Sequence, residues 1–246
     1  MDDPFTPATS DAEAFASLHL TVIGCRLCPR LVAYREEVAR TKRAAYRDWE
    51  YWGRPVPSLG DPDARLLVVG LAPAAHGGNR TGRIFTGDRS ADFLFRSLCR
   101  AGFANQPTSR TRDDGLRLID CYITAPVHCA PPDNKPLPVE FETCRRYLRR
   151  ELQLLTSLQV VVALGRIAWD QYLRARKELG QPVPKPLPKF GHLSEAQLDE
   201  RIRLIGSYHP SQQNTQTGKL TPEMFDRVFA RVREYLDGGP AGRLTG

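Results

Sequence analysis

The sequence predicts an α/β protein with three layers, α/β/α, in which helices cover both faces of a central, mainly parallel sheet of four strands. Four short apolar runs are separated by segments whose apolar residues recur at helical spacing. Strands that alternate with helices pair in parallel through right-handed crossovers. The 246 residues suit one such domain. We expect it to span residues 1–236, with residues 237–246 forming a disordered tail.

Two helices are predicted ahead of the first strand, within residues 11–44. Ser10 and Glu13 form a capping box that begins a helix over residues 11–23. Pro29 suits the first position of a second helix, which is expected to run to residue 44. Residues 51–63 are rich in proline and glycine, and they predict a loop.

The rest of the chain alternates between strand and helix. The predicted strands are residues 65–71, 116–127, 159–165 and 201–207. The predicted helices are residues 91–101, 139–157, 166–179 and 222–236. Ser90 is expected to cap the first of these helices, and Thr221 followed by Pro222 to begin the last. The polar residues 105–115 predict a mobile loop.

Composition limits the classes of function. The formal net charge is +7. A basic, arginine-rich protein is typical of those that bind nucleic acid, although surface charge also serves solubility. No apolar run approaches the roughly 20 residues of a membrane span. The acidic N-terminal stretch lacks the basic and apolar regions of a signal or transit peptide, so we expect a cytoplasmic protein that does not enter a membrane.

Six cysteines are present, and four of them suggest a metal site. The motif Cys25-Arg-Leu-Cys28, with Cys129 and Cys144 farther along the chain, supplies four thiols. Four cysteines suit a [4Fe–4S] cluster or a zinc ion, and both alternatives stay open on the residues alone. Cys99 and Cys121 lie in apolar segments and are expected to be buried core thiols.

Polar, glycine-rich segments follow three of the predicted strands. They are residues 72–88, 124–135 and 209–221. Because ligand sites in parallel sheets form beyond the carboxyl ends of the strands, these segments are expected to converge on one crevice. The first of them has neither the Walker nor the Rossmann spacing of glycines, so it is not expected to hold a nucleotide phosphate.

Each segment carries one residue with useful chemistry and an ordinary structural alternative. Asp88 could orient a water molecule or help to cap the helix that follows. Asn134 has a donor and an acceptor with which to contact a base edge, but asparagine among prolines is also a common turn residue. His209 stands at the end of a strand, where it could serve catalysis or structure.

Taken together, the three segments resemble those of the family 5, or B-type, uracil-DNA glycosylases. The resemblance covers most of the chain, and it is strongest over residues 70–88, 129–136 and 209–214. It implies an enzyme that flips a nucleotide out of DNA and hydrolyses the bond between uracil and its sugar, leaving an abasic site. It also implies action on other deaminated bases such as hypoxanthine, and a monomeric protein. The four cysteines match the family's [4Fe–4S] ligands, which favours a structural cluster over zinc.

The resemblance assigns roles to individual residues. Asp88 would orient the attacking water, since Leu71-Ala72-Pro73 lacks the polar residue that other uracil glycosylases carry directly after the first strand. His209 would donate a hydrogen bond to the uracil O2, Phe85 would stack on the base, and Asn134 would contact its edge. Further substrate contacts are expected from Gly70, Ala72 and His76, and DNA contacts from Arg80, Lys135, Gln212, Gln213 and Lys219.

Two other functions remain in competition on the residues alone. His76, His128 and His209 could serve a metal-dependent hydrolase, but no two of them have the spacing of neighbouring ligands on a helix. A non-catalytic DNA-binding module with a decayed site is the second alternative. The presence of Asp88, Asn134 and His209 together argues against decay.

Overall fold

A computed structural model describes residues 11–238 and confirms the predicted α/β class. The four predicted strands form the parallel centre of the sheet, but the sheet has six strands, not four. The strands are β1 (Leu59–Gly60), β2 (Leu66–Val69), β3 (Cys121–Thr124), β4 (Val160–Leu164), β5 (Glu195–Gln197) and β6 (Arg203–Ser207). Their order across the sheet is β1-β3-β2-β4-β6-β5, with β1 and β5 antiparallel at the two edges.

Helices cover both faces of this sheet, as predicted. The helices are α1 (Asp11–Ile23), α2 (Pro29–Thr41), α3 (Gly78–Thr81), α4 (Arg89–Arg100), α5 (Pro138–Leu154), α6 (Arg166–Glu178), α7 (Gln212–Gln216) and α8 (Pro222–Gly238). Alternate residues of β2 point to opposite faces. Leu67 and Val69 join the cluster that includes α1, α5 and α6, whereas Leu66 and Val68 join the cluster beneath α4 and α8. Every residue of β2 is buried, which explains its unbroken apolar sequence.

The two edge strands were missed because they are too short to show a period. β1 lies inside the segment that predicted a loop, and it has only two residues. Gly60 pairs there with Tyr122 at a φ of 143°, and any side chain at position 60 would collide with the backbone of β3. β3 itself is shorter than the predicted strand over residues 116–127. Its pairing with β2 is limited to four residue pairs.

Helix ends agree with the sequence at some positions and differ at others. Thr221 caps α8 as predicted, its hydroxyl accepting the Met224 N–H at 3.2 Å. The helix over 29–44 ends early because Lys42 takes a left-handed φ of 56°. Ser90 is not the cap of α4, since Asp88 takes that position. Ser10 of the predicted capping box and residues 239–246 of the predicted tail lie outside the described residues, while residues 237 and 238 continue α8.

The sheet topology defines one crevice. The chain leaves β2 for β3 on one side and then returns to β4 on the other side of β2. Helices that follow β2 and β4 therefore lie on opposite faces, and a crevice opens beyond the carboxyl ends of these two strands. None of the helices described, in residues 11–238, is long and apolar enough to cross a membrane.

Candidate active site

Residues 70–88, the 70–88 loop, leave the carboxyl end of β2 at this crevice. The Gly70 N–H donates to the Thr124 carbonyl at 2.8 Å, which ties the start of the loop to β3. A Cβ atom at Gly70 would lie 2.7 Å from the Phe85 ring. Glycine is therefore required for the ring to rest on the end of the strand. Phe85 itself has a left-handed φ of 47°, an uncommon conformation that turns the chain toward Asp88.

Asp88 closes the 70–88 loop and begins α4. Its Oδ1 accepts the Ala91 N–H at 2.9 Å, which is the bond of a helix N-cap. Its Oδ2 occupies the position that a Cβ atom at Gly77 would take, so only glycine at position 77 leaves room for this oxygen. Burial raises the pKa of Asp88, and the N–H groups of Ala91 and Ser90 partly oppose that rise. The carboxylate thus has one oxygen for the helix and one for another partner.

His209 follows β6 and contacts the 70–88 loop. Its ring stacks on Phe85, with ring centres 6.1 Å apart and an angle of 29° between the planes. Burial lowers the pKa of His209 to about 4, so the imidazole is neutral at physiological pH. Asn214 donates from its side-chain amide to the His209 carbonyl at 2.9 Å. The structure therefore brings His209 to Phe85, three residues before Asp88, as the convergence of the loops predicted.

Asn214 is a positioning residue that the sequence analysis did not single out. It lies in α7, the short helix within the 209–221 segment, where Ser211 caps the helix through the Asn214 N–H. Its own N–H, its amide and its carbonyl are all engaged, the last by the Leu220 N–H at 3.0 Å. The sequence did contain a signal for this contact. Ser211 is a helix-capping residue type, and one helical turn that begins there brings the Asn214 side chain back to the His209 carbonyl.

The remaining substrate candidates lie around the same loop. His76 is half-buried, and its Nδ1 lies 3.0 Å from the Tyr51 hydroxyl. Burial, followed by the charges of Arg43 and Arg80, lowers the pKa of His76. Ala72 is half-buried and packs on the core cluster of the α1, α5 and α6 face.

Asn134 and Lys135 lie in an exposed turn after β3. The turn spans Pro132–Asn134, and Asn134 has a left-handed φ of 56°. Both side chains are exposed, and the Lys135 carbonyl accepts a hydrogen bond from Arg30 at 3.1 Å. This arrangement fits the turn role of an asparagine and leaves its amide toward solvent.

Among the expected DNA contacts, Arg80 has a different role. Its side chain is buried, with 3% exposed, between the rings of Tyr46 and Trp49 at 4.0 and 4.1 Å. It donates to the His76 carbonyl at 2.7 Å and to the Gly87 carbonyl at 2.9 Å. Two of the guanidinium nitrogens therefore hold the 70–88 loop together, Nη1 has no partner among the described residues, and the expected phosphate contact stays a prediction.

The other expected DNA contacts face solvent. Gln212 and Gln213 are exposed in the first turn of α7. Lys219 is exposed, and its ammonium lies 4.9 Å from the centre of the Tyr208 ring. Because Tyr208 directly precedes His209, these side chains surround the same end of the sheet.

Residues 105–115 are held against the 70–88 loop, although the sequence predicted a mobile segment. Arg83 is buried and donates to both carboxylate oxygens of Asp114 at 2.8 Å, and to the Ser109 hydroxyl and the Arg112 carbonyl at 2.9 Å. The Gly87 N–H donates to the Ser109 carbonyl at 2.8 Å. Hydrogen bonds from Arg83, reinforced by three backbone N–H groups, keep the pKa of Asp114 below its ordinary value in spite of burial. The 105–115 loop is thus a fixed wall beside Asp88.

The four predicted ligand cysteines line a single pocket between α2, α5 and the segment after β3. Burial raises the pKa of Cys129 to about 11 and also raises that of Cys144 well above its ordinary value, so both are neutral thiols without a bound cation. Cys99 is half-buried and Cys121 is fully buried away from this pocket, in the opposite core cluster.

Arg35 brings a positive charge into the cysteine pocket. Its side chain is buried, with 2% exposed, and Nη1 lies 2.8 Å from the Cys129 Sγ. Its Nη2 donates to the Cys25 carbonyl at 3.3 Å, and its Nε has no partner among the described residues. The His128 N–H points to the Cys144 Sγ at 3.4 Å. The carboxylate within ion-pair distance of this buried cation is that of the partly exposed Glu36, 3.9 Å from Nη2, and thiolates bound to a metal group would supply negative charge inside the pocket.

The side chains that could bind a single metal ion do not converge on one point. Within residues 11–238, no three His, Cys, Asp or Glu side chains come together in a way that could hold a single metal ion. This overturns the site of a metal-dependent hydrolase built from His76, His128 and His209. His128 is instead buried beside the cysteine pocket, with Nδ1 at 2.8 Å from the Val56 carbonyl and a pKa that burial lowers to about 4.

Comparison with known proteins agrees with this architecture. Residues 57–233 match the model of the uracil DNA glycosylase superfamily. The chain is 50% identical over 224 residues to a type-5 uracil-DNA glycosylase of Mycobacterium tuberculosis, covering 91% of this chain and 82% of the relative. It is 51% identical over 223 residues to a type-5 uracil-DNA glycosylase of Thermus thermophilus, covering 91% of this chain and 97% of the relative. A type-5 uracil-DNA glycosylase of Pyrobaculum aerophilum is 48% identical over 211 residues, covering 86% of this chain and 88% of the relative.

Proposed function

Because the chain belongs to the uracil-DNA glycosylase superfamily and is about half identical to type-5 enzymes over 91% of its length, we propose that it is a DNA repair glycosylase that excises uracil from DNA. It hydrolyses the bond between the base and the sugar and leaves an abasic site. It also accepts other deaminated bases, such as hypoxanthine. The observation that carries the proposal is the stacking of His209 on Phe85 beside Asp88, at the carboxyl edge of the sheet.

The reaction begins with extrusion of the nucleotide from the duplex, at a cost of a few kcal/mol. Phe85 presents an aromatic face at the crevice, and stacking of a base on such a face contributes roughly 1–3 kcal/mol. Asn134 supplies a donor and an acceptor for the edge of the base. Gly70, Ala72 and His76 form the backbone and side wall of the base pocket.

Asp88 acts on the sugar side of the bond. Cleavage passes through an oxocarbenium-like state in which the sugar becomes positive. The Oδ1 atom is already engaged with the Ala91 N–H, so Oδ2, for which glycine at position 77 leaves room, is the oxygen that orients the water in this proposal. The carboxylate must be ionised for this task, and the N–H groups at the start of α4 favour that form despite burial.

His209 acts on the departing base, which becomes negative. Since burial lowers its pKa to about 4, it is a neutral imidazole that donates a hydrogen bond toward the uracil O2. A donor that is fixed before the reaction starts stabilises the developing charge by about 3 kcal/mol. Asn214 fixes this donor by holding the His209 carbonyl at 2.9 Å.

The cysteine pocket is proposed to hold a [4Fe–4S] cluster through Cys25, Cys28, Cys129 and Cys144. The four thiols and the buried charge of Arg35 fit an anionic group of this kind. When bound, the cluster supplies a structural cross-link between the start of α2, the segment after β3, and α5.

We further propose that residues 1–236 form one glycosylase domain that acts as a cytoplasmic monomer. Each face of the sheet has its own core cluster, but both clusters include residues of the same strands, so neither helical layer can bury its apolar side without the shared sheet. Sedimentation of the purified protein at micromolar concentration tests the monomer directly.

The proposed function is tested with a duplex that carries one uracil, followed by alkali. Strand cleavage at that position, retained in chelator, is expected, whereas intact strands at high enzyme concentration would overturn the proposal. A hypoxanthine-containing duplex tests the wider substrate range.

For the cluster, the purified protein is expected to be brown and to contain iron, and Cys144→Ala to lose both colour and solubility. A colourless wild-type protein that contains zinc would restore the zinc alternative.

A further inference from the structure

Three exposed arginines lie on the two loops that flank the 70–88 loop. Arg54 lies in the segment that precedes β1, and Arg110 and Arg112 belong to the 105–115 loop. Among the described residues, none of the three lies within ion-pair distance of a carboxylate, whereas Arg65, for example, pairs with Asp120. We call these three side chains the arginine patch. Their positive charges are therefore not balanced within the described part of the protein.

The 105–115 loop fixes Arg110 and Arg112 close to Asp88. Its backbone accepts the Gly87 N–H, one residue before Asp88, at 2.8 Å. The Arg112 guanidinium stacks on Trp52 at 4.0 Å from the ring centre and donates to the Gly82 carbonyl at 3.2 Å. Less conformational entropy is lost on binding when a charged side chain is already held in place.

Arg54 is fixed to the other side of the 70–88 loop. The Trp52 N–H donates to the Arg80 carbonyl at 2.9 Å, and the Gly53 N–H to the Asn79 carbonyl at 3.0 Å. The Arg54 guanidinium lies 5.6 Å from the centre of the Trp52 ring. Trp52 thus stands between two guanidinium groups, and the patch continues from one flanking loop to the other.

We propose that the arginine patch binds consecutive phosphates of the DNA strand that carries the flipped nucleotide. The partner chemistry is that of a polyanion, because unbalanced guanidinium groups bind phosphate in a two-pronged geometry. This inference rests on the proposed function, since it places the strand next to Asp88. It stands beside the phosphate contact predicted for Arg80, which is buried.

The test is the salt dependence of binding to an uracil-containing duplex, with Arg110→Gln and Arg112→Gln, singly and together. Each phosphate contact contributes about 0.9 to the slope of log affinity against log salt concentration. Each single change is expected to reduce that slope by about that amount and to raise KM, with single-turnover excision at saturating enzyme unchanged. The matched control is Arg201→Gln, an exposed arginine just before the amino end of β6, which is expected to leave the slope unchanged.

Each outcome has a defined meaning. An unchanged slope in both single variants, with folding intact by circular dichroism, overturns the arginine patch. Binding of undamaged duplex is measured in the same way, so the patch is tested even if the wild-type protein fails to excise uracil. Should Arg112→Gln unfold because Trp52 loses its partner, Arg110→Gln decides the question alone.

A separate observation concerns Arg35, which faces the cysteine pocket from α2. Arg35 lies seven residues after Cys28, two helical turns on, and therefore on the same side of α2. Its nearest carboxylate, that of Glu36, is 3.9 Å away and largely exposed. The Asn79 amide donates to the Arg35 carbonyl at 3.1 Å, which joins this part of α2 to the 70–88 loop.

We infer that Arg35 balances the negative charge of the group bound by the four cysteines and protects it from oxidation. A cation that hydrogen-bonds a ligand sulfur disfavours the removal of an electron from an iron–sulfur cluster. Arg35 is a positioning residue in this role, since it acts through Cys129 and takes no part in excision. The inference rests on the proposed cluster.

The test follows loss of visible absorbance when ferricyanide, a one-electron oxidant, is added to the iron-loaded protein. Arg35→Gln is expected to lose colour at least tenfold faster than the wild type, and Arg35→Lys to lie between the two. Arg176→Gln is the matched control, since Arg176 is equally buried and pairs with Asp199 on another part of the fold. Equal rates in iron-loaded wild type and Arg35→Gln, or an Arg35→Lys variant that loses colour as fast as Arg35→Gln, overturn the inference, whereas a wild type without iron overturns the cluster itself.

Discussion

Replacing Asp88 by asparagine separates two roles of one carboxylate. Oδ1 of Asp88 accepts the Ala91 N–H at 2.9 Å and caps α4, while Oδ2 packs against Gly77 and is the oxygen to which we assign the water. An amide oxygen can still accept the Ala91 N–H, because asparagine caps helices about as well as aspartate. The amide cannot provide the negative charge that the sugar requires. Asp88→Asn is therefore expected to keep the fold and lose the chemistry.

The magnitudes of the two effects differ. Loss of a fixed charge that stabilises the transition state costs about 3 kcal/mol, or roughly a hundredfold to a thousandfold in excision rate. Asp88→Ala loses the same charge and also the cap, which costs about 1 kcal/mol of stability. For a protein of this size that is a decrease in Tm of about 2–4 °C. Asp88→Asn is expected to change Tm by less than this.

Single-turnover excision from an uracil-containing duplex and thermal unfolding are measured on the same samples. Thr221→Ala is the matched control, because it removes the cap of α8 and is expected to lower Tm by a similar amount without slowing excision. Burial raises the pKa of Asp88, so wild-type excision falls as pH decreases through that pKa, and the residual activity of Asp88→Asn does not. Full activity in Asp88→Asn, with unaltered DNA binding, would refute the assigned role.

Three further predictions follow from the same geometry. His209→Ala is expected to lower kcat by roughly a hundredfold or more. Burial lowers the pKa of His209 to about 4, so a wild-type activity change near pH 6.5 that disappears in this variant would contradict the role of a neutral donor. Gly77→Ala would push a methyl group onto Asp88 Oδ2 and is expected to slow excision at least tenfold with little change in Tm. Gly24→Ala, whose methyl group would meet nothing closer than the Leu20 carbonyl at 3.5 Å, is expected to leave both excision and Tm unchanged. Burial raises the pKa of Glu151 from 4.5 to about 7. Between these pH values the folded state keeps a proton that the unfolded state loses, so the free energy of unfolding is expected to fall by up to about 3 kcal/mol as pH rises through this window. Urea unfolding of Glu151→Gln at pH 5 and pH 8 should show a smaller loss than the wild type, and equal losses would contradict the explanation.

The sequence predicted the parts of the fold that depend on local pattern. Strands β2, β4 and β6 are each buried on both faces of the sheet, and such strands need nearly continuous apolar residues. Edge strands β1 and β5 have two and three residues, too few for a period to appear. Convergence of the loops could be predicted because parallel pairing alone places their starting points at one edge.

The parts that escaped prediction depend on contacts between distant residues. Arg83 binds Asp114, which is 31 positions away, and nothing local to either residue indicates the pair. The sequence predicted Ser90 as the cap of α4, because Asp88 and Ser90 are both capping residue types and lie only two positions apart. The choice of Asp88 depends on Gly77, which leaves room for its second oxygen.

The arrangement of the arginines shows why net charge is a poor guide to a DNA-binding surface. Arg80 and Arg83 lie in the loop expected to meet DNA, yet both are buried, and both donate to the backbone or side chains of the loops around Asp88. Arg110 and Arg112 lie in a segment that the sequence indicated only as polar, which Arg83 holds in place, and they have no carboxylate within ion-pair distance among the described residues. Burial, rather than position in the sequence, distinguishes the arginines that hold these loops together from those that we propose to bind DNA.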